Sequence, residues 1–190
     1  MIYHDLPEKK YKMIMADPPW HYRDKVRAST KGGGGASSHY ETLTLAALAE
    51  FPMEQLRADD SVLLLWATFP MYWDAMWVMA QWGFRYKTAC WVWAKTTKAG
   101  KMAMGMGHYS RANPEVCLLG VRGKGLPVLR HDIINLQFHP RLRHSEKPTL
   151  FHDLSVEIFG NVPRIDLFAR KRVKGWTSWG LELDKEAGEH

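Results

Sequence analysis

The grouping of residues best suited to chemistry is Asp17-Pro18-Pro19-Trp20, directly after the apolar run Tyr11–Ala16. Two prolines remove backbone donors and fix a rigid turn at the carboxyl end of a strand, where open α/β sheets bind ligands. Such a turn holds an acid, an outward-facing carbonyl and an aromatic plate together. The Asp17 carboxylate and the Pro18 carbonyl suit the two hydrogens of an exocyclic amine, and a ring stacks on the attached heterocycle. The amino groups of adenine and cytosine both fit, and a purely structural Asp-Pro-Pro loop is the bland alternative.

Other residues carry chemistry by position. Asp166, near the end of the apolar run Arg164–Ala169, suits ribose hydroxyls or an ammonium, and equally a surface ion pair. Trp66 and Trp93 end apolar runs, which makes them candidates for a ligand face as well as for the core. Lys147, before Pro148, reads by default as a solvated helix-start residue. Nine histidines are scattered without HxxxH or HExxH spacing, and Cys90 and Cys117 form no CxxC pair, so no metal site is expected and the thiols read as buried. The clusters Arg141–His144, Lys98 with Lys101, and Arg170–Arg172 with Lys174 are either a solvated face or phosphate contacts.

The elements that must position these residues alternate short apolar β-type runs with amphipathic segments of helix length, the pattern of an α/β fold with a largely parallel sheet and helices on both faces. Strands are expected at Tyr11–Ala16, Ser61–Thr68, Arg85–Ala94, Glu115–Val121 and Arg164–Ala169, with a short one at Ile133–Gln137 and a final short element at Trp176–Leu183. Helices are expected at Leu43–Gln55, Tyr72–Trp82 and Thr149–Phe159, the last closed by Gly160. Residues 29–38 contain four consecutive glycines and read as a mobile loop, either a lid or a plain surface connection; the polar, Gly/Met-rich stretch 95–114 is a candidate recognition insertion.

The 190 residues, 46% hydrophobic and 24% charged, have the composition of one globular domain spanning 1–190. No apolar run is long enough to span a membrane and the first twelve residues are not signal-like, so a cytoplasmic protein without a membrane partner is expected. A net charge of +6 suits a polyanionic partner, and nine tryptophans with seven tyrosines supply rings of the kind that stack unpaired bases.

The chain resembles the MT-A70 family of S-adenosylmethionine-dependent adenine N6-methyltransferases from about Lys12 to Leu183. Asp17-Pro18-Pro19-Trp20 matches its signature; Leu65–Thr68 is similar to its LWVT, Trp93–Thr96 to its WVKT, and Gly107–Tyr109 through Glu115–Gly120 to its GHW…EHCLVG segment. His144–Pro148 is similar to its SHKP and Ile165–Arg170 to its IELFGR. The order of these motifs matches the family's circular permutation, in which the catalytic strand precedes the cofactor strand. The resemblance implies a single Rossmann-like methyltransferase domain and a catalytic turn of Asp17, Pro18, Pro19 and Trp20. It implies a target base flanked by Trp66 and Trp93 and closed over by Tyr22. It further implies a cofactor site made by Asp17, Lys147, Asp166, Leu167, Phe168, Arg170, Arg172 and Glu182, with Leu181 standing where an asparagine is usual. The cofactor would be S-adenosylmethionine, with no metal, and the partner DNA by analogy with compact bacterial and phage members. RNA adenine, cytosine N4 and a catalytically silent nucleic-acid-binding partner are the alternatives, and a homodimer would add recognition surface.

Overall fold

Along the strand Tyr11–Ala16 (β1), Met13 and Met15 face one layer and Ile14 and Ala16 the other, and all four are buried. A strand apolar on both faces belongs inside a parallel sheet. The computed structural model describes residues 5–21, 43–107, 109–142, 146–180 and 183. Its other strands are Arg57–Ala67 (β2), Arg85–Thr96 (β3), Glu115–Arg122 (β4), Leu136–Pro140 (β5), Arg164–Leu167 (β6) and Thr177–Trp179 (β7). They form one seven-stranded sheet in the order β5-β3-β4-β2-β1-β6-β7. Strand β4 runs against β2 and β3, and every other pairing is parallel, as expected for a mostly parallel mixed sheet.

Helices cover both faces. Leu45–Ala49 (α1), Met53–Leu56 (α2) and Tyr72–Gln81 (α3) bring Leu48, Met53, Leu56, Val78 and Met79 onto Ile14, Leu63, Leu65 and Leu118. On the opposite face Leu150–Phe159 (α4) sets Phe151 and Phe159 against Met13, Met15, Leu64, Trp66 and Trp91. The chain leaves β1 for β2 through α1 and α2 on one face and reaches β6 through α4 on the other. The ends of β1 and β6 therefore flank the point where the crossovers change sides, the place where such sheets leave a crevice for ligands.

Several boundaries differ from those expected, each for a local reason. The helix expected over Leu43–Gln55 is broken at Pro52, which lacks an N–H and disfavours helical geometry at Phe51. Phe51 is thereby free to pack its ring 5.8 Å from that of Trp82 and 5.5 Å from that of Trp179. The short strand expected at Ile133–Gln137 lies at Leu136–Pro140, paired with the end of β3. Within 95–114, Lys95 and Thr96 extend β3, and the Asn113 side chain pairs with the Lys95 main chain in both directions, accepting from Lys95 N at 2.9 Å and donating to its carbonyl at 2.8 Å. The glycine-rich loop 29–38 lies outside the described residues. No helix among the described residues is long and apolar enough to cross a membrane.

Candidate active site at the ends of two parallel strands

The Asp-Pro-Pro-Trp turn is pinned on several sides. Asp17 N–H donates to the Leu167 carbonyl at the end of β6 (3.3 Å), Trp20 N–H returns to the Pro18 carbonyl (2.8 Å), and Leu43 N–H reaches the Pro19 carbonyl (3.0 Å). The Trp20 indole donates to the Trp66 carbonyl at 2.9 Å. The Pro18 oxygen keeps a second lone pair for an incoming donor.

Asp17 does not stand alone. Lys147 Nζ lies 2.7 Å from Asp17 Oδ2, 3.0 Å from Glu115 Oε2 and 5.5 Å from the centre of the Trp66 ring. Lys95 pairs with the other Glu115 oxygen and lies 5.0 Å from the centre of the Trp93 ring. Two ammonium groups and two carboxylates thus balance in a largely buried network. Burial pushes the Asp17 carboxyl up, against the pull of Lys147, and the neighbouring Glu115 charge adds to the rise. Burial acts on Glu115 in the same direction, but Lys147 and Lys95 together hold it down to about 2. Burial would lower the Lys147 ammonium, and its two carboxylates raise it instead. Lys147 is therefore charged at every physiological pH, and of the two carboxylates Asp17 is the more ready to take a proton.

The adjoining cleft, at the carboxyl ends of β1 and β6, is lined by Asp17, Lys147, Asp166, Phe168 and Arg170, all expected there, together with Met15, Trp66, Glu146, His152, Ala169 and Lys171. Its shape depends on a strained turn. Phe168 has φ 59°, a costly conformation for a bulky residue, and is held in it by rings at 5.3 Å (Phe51) and 5.6 Å (Trp179). Gly180 presses on the same turn so closely that a Cβ there would lie 2.2 Å from the Ala169 carbonyl oxygen, while Ala169 N–H donates to Trp179 O at 3.0 Å. Carboxylates, cations and an apolar wall line one crevice, an arrangement suited to a ligand with hydroxyl or ammonium donors, an acid and a flat ring.

Other expected residues are placed differently. Trp66 and Trp93, expected to flank a base, are 0% and 3% exposed. Trp66 packs edge-on against Phe151 at 4.8 Å and Trp93 donates to the His139 carbonyl at 2.9 Å, so both are core rings with a lysine beside each. Leu167 is fully buried and points into the α1–α3 layer, because it is the next residue after the cleft-facing Asp166 on the same strand. Arg172 is exposed and does not line the cleft. Tyr22, Leu181 and Glu182 lie outside the described residues.

Sequence reasoning assigned no role to Glu115, Lys95 or His152. The signal for Glu115 is an acid opening an otherwise apolar strand; for His152 it is a polar ring on the buried face of α4 beside Phe151, Ser155 and Phe159. Among the described residues no group of three or more His, Cys, Asp or Glu is placed to hold a metal ion.

The MT-A70 family model matches residues 11–182. The chain is similar to the type II methyltransferase M.MunI of a Mycoplasma species, 34% identical over 96% of this chain and 82% of that protein. It is also similar to the human N(6)-adenine-specific methyltransferase METTL4, 27% identical over 93% of this chain but 38% of that one. A third relative is the N6-methyladenosine RNA methyltransferase MTA1 of Cryphonectria parasitica, 29% identical over 92% of this chain and 52% of the relative.

Proposed function

This chain belongs to the MT-A70 family, and from that premise we propose that it transfers a methyl group from S-adenosylmethionine to the N6 amino group of adenine in DNA. The observation that carries the proposal is the intact Asp17–Trp20 turn, held beside the Asp166 strand end and clamped by Lys147. DNA is favoured over RNA by the match to a type II methyltransferase across most of both chains; the likeness to an RNA methyltransferase keeps RNA as the second reading. A silent binding partner is disfavoured because every member of the Asp-Pro-Pro-Trp turn is present.

The cleft suits S-adenosylmethionine. Asp166, and Asp17 beside it, offer acceptors for the ribose diol and the α-ammonium; Lys147 and Arg170 offer charge to the carboxylate; and Met15, Phe168 and Ala169 offer an apolar wall to the adenine ring. When bound, this molecule supplies an electrophilic methyl group. The protein supplies the rest. Asp17 and the Pro18 carbonyl accept the two hydrogens of the target amine, which turns the nitrogen lone pair out of conjugation with the ring and toward the methyl donor. Lys147 keeps Asp17 in one rotamer, and the raised Asp17 carboxyl is the acceptor nearest the proton that the amine sheds. The target base must leave its stack. We place the Trp20 turn and a closing Tyr22 around that base, with Trp66 and Trp93 as the packed floor beneath, and Glu182 and Arg172 at the cofactor's outer edge. The insertion 95–114, with Met102, Met104, Met106 and Tyr109 exposed and Lys98 and Lys101 in the turn after Thr97, is the surface we assign to target recognition. A cytoplasmic site of action follows from a bacterial or phage DNA substrate.

The test is labelled methyl transfer to matched DNA and RNA oligonucleotides, with nucleoside mass spectrometry of the product. N6-methyladenine in DNA is expected from the wild type, and Asp17→Ala, which removes an acceptor used in the transition state, is expected to lower kcat by at least about 10²-fold. Product in RNA alone would move the substrate; N4-methylcytosine would overturn the adenine assignment.

A further inference from the structure

His152 sits on the inner face of α4, 3% exposed, with Nε2 2.8 Å from Asp166 Oδ2. Its ring stands edge-on to Trp176, centroids 4.9 Å apart and planes at 87°, so both its tilt and its reach are fixed by packing. Its other nitrogen, Nδ1, is buried and finds no hydrogen-bond partner among the described residues. An orphaned nitrogen in a core demands an explanation, because burying a polar atom without a partner costs stability. The compensation is at the other side of the ring. Asp166 is itself a buried acid, and a carboxylate accepts only, so Nε2 is the donor in this pair.

We infer that His152 is a positioning residue for cofactor binding: it fixes the Asp166 carboxylate so that the oxygens it presents to the cleft meet the hydroxyl or ammonium donors of S-adenosylmethionine in one orientation. The inference rests on the proposed function for the identity of the ligand. Both residues line the cleft, and they come from separate elements, α4 and β6, so the bond also ties the helix layer to the strand that carries the acid. Without the imidazole, Asp166 has no other hydrogen bond among the described residues to set its rotamer. Histidine–carboxylate pairs behind ligand-binding groups are worth about tenfold or more in affinity where they have been tested in metal sites, and a similar loss is expected here.

The test compares the wild type with His152→Leu, His152→Gln and Asp166→Asn, using calorimetric titration with S-adenosylhomocysteine and initial rates at varied S-adenosylmethionine. His152→Leu is expected to raise the Kd for S-adenosylhomocysteine and the KM for the methyl donor by about tenfold, with a much smaller change in kcat. His152→Gln, whose amide N–H reaches to about where Nε2 lies, is expected to recover most of that loss. In the Asp166→Asn background His152→Leu should add little, because the group it positions is already gone. Unchanged cofactor affinity in His152→Leu overturns the inference, as does a loss that His152→Gln shares in full and that follows a fall in Tm in both variants. Should His152→Leu not fold, His152→Gln in the two backgrounds decides: an equal effect with and without Asp166 overturns it. A wild type that binds no S-adenosylhomocysteine overturns the proposed function itself, and the inference with it.

Discussion

Asp17 and Glu115 share one lysine, and their proton affinities move in opposite directions. The acid limb of the rate against pH therefore belongs to Asp17: activity should fall as pH drops through a value above the 3.8 of an ordinary aspartate, while Glu115 stays charged down to about 2. Glu115→Gln removes a charge that raises Asp17 and leaves Lys147 to act on Asp17 alone, so the acid limb should move to lower pH in a kcat profile. An unmoved or higher limb would contradict this electrostatic picture. The same signs govern stability. Glu115 adds stability that is complete above its unfolded value near 4.5 and is lost as pH falls toward 2; Asp17 binds its proton more tightly when folded, so it weakens the fold as pH rises through its own window. At this scale the turn and Asp166 were legible because both follow apolar runs whose direction in a sheet is known. The partners of Asp17 were less so: Glu115 lies 98 positions away, and it is the pairing of β1 with β2 and of β2 with β4 that brings it near.

The strained turn after β6 is the element on which the cleft depends, and its clamp is the glycine that follows β7. Gly180→Ala places a methyl against the Ala169 carbonyl, so one of the two backbones must retreat, at a cost of about 1–3 kcal/mol as for other overpacked sites. A lower Tm together with weaker S-adenosylhomocysteine binding is expected, read by thermal melts and calorimetry; a lower Tm with unaltered binding would mean that the clamp serves the fold alone. Strand identities were legible from runs such as Ser61–Thr68 and Glu115–Val121, since strands covered on both faces of a sheet read as short continuous apolar runs. Their ends were not. Strand β2 begins at Arg57 rather than Ser61 because its first residues are carried by pairing at its edges, which leaves no mark in hydropathy. The break at Pro52 was legible in principle, and the apolar periodicity around it obscured it.

For the molecule as a whole, a net charge of +6 predicts a strong dependence on salt for the DNA association proposed above. Lys98→Gln with Lys101→Gln should reduce the slope of log Kd against log salt by about 1 for each phosphate left without its lysine, measured by fluorescence anisotropy, and should weaken binding alike for all sequences. An unchanged slope would remove the 95–114 insertion from the interface. The family and the chemistry were legible at this scale because the motifs keep their order along the chain; how the sheet folds them together was not, since the pairing of β1 with β6 joins segments about 150 residues apart.

Because the sheet joins such distant segments, the chain divides into two parts that need each other. Everything up to Thr96 holds the Asp17–Trp20 turn, and everything from Glu115 onward holds Glu115, Lys147, His152 and Asp166, so neither half contains the whole of the proposed site. Gly100, at φ 75° with nothing within 4 Å of where a Cβ would stand, marks a place where the fold tolerates a cut, between the two lysines assigned to target recognition. Two polypeptides parted there would each be inert, and methylation would return only when the halves met, making the chain a reporter of the proximity of whatever proteins were fused to them.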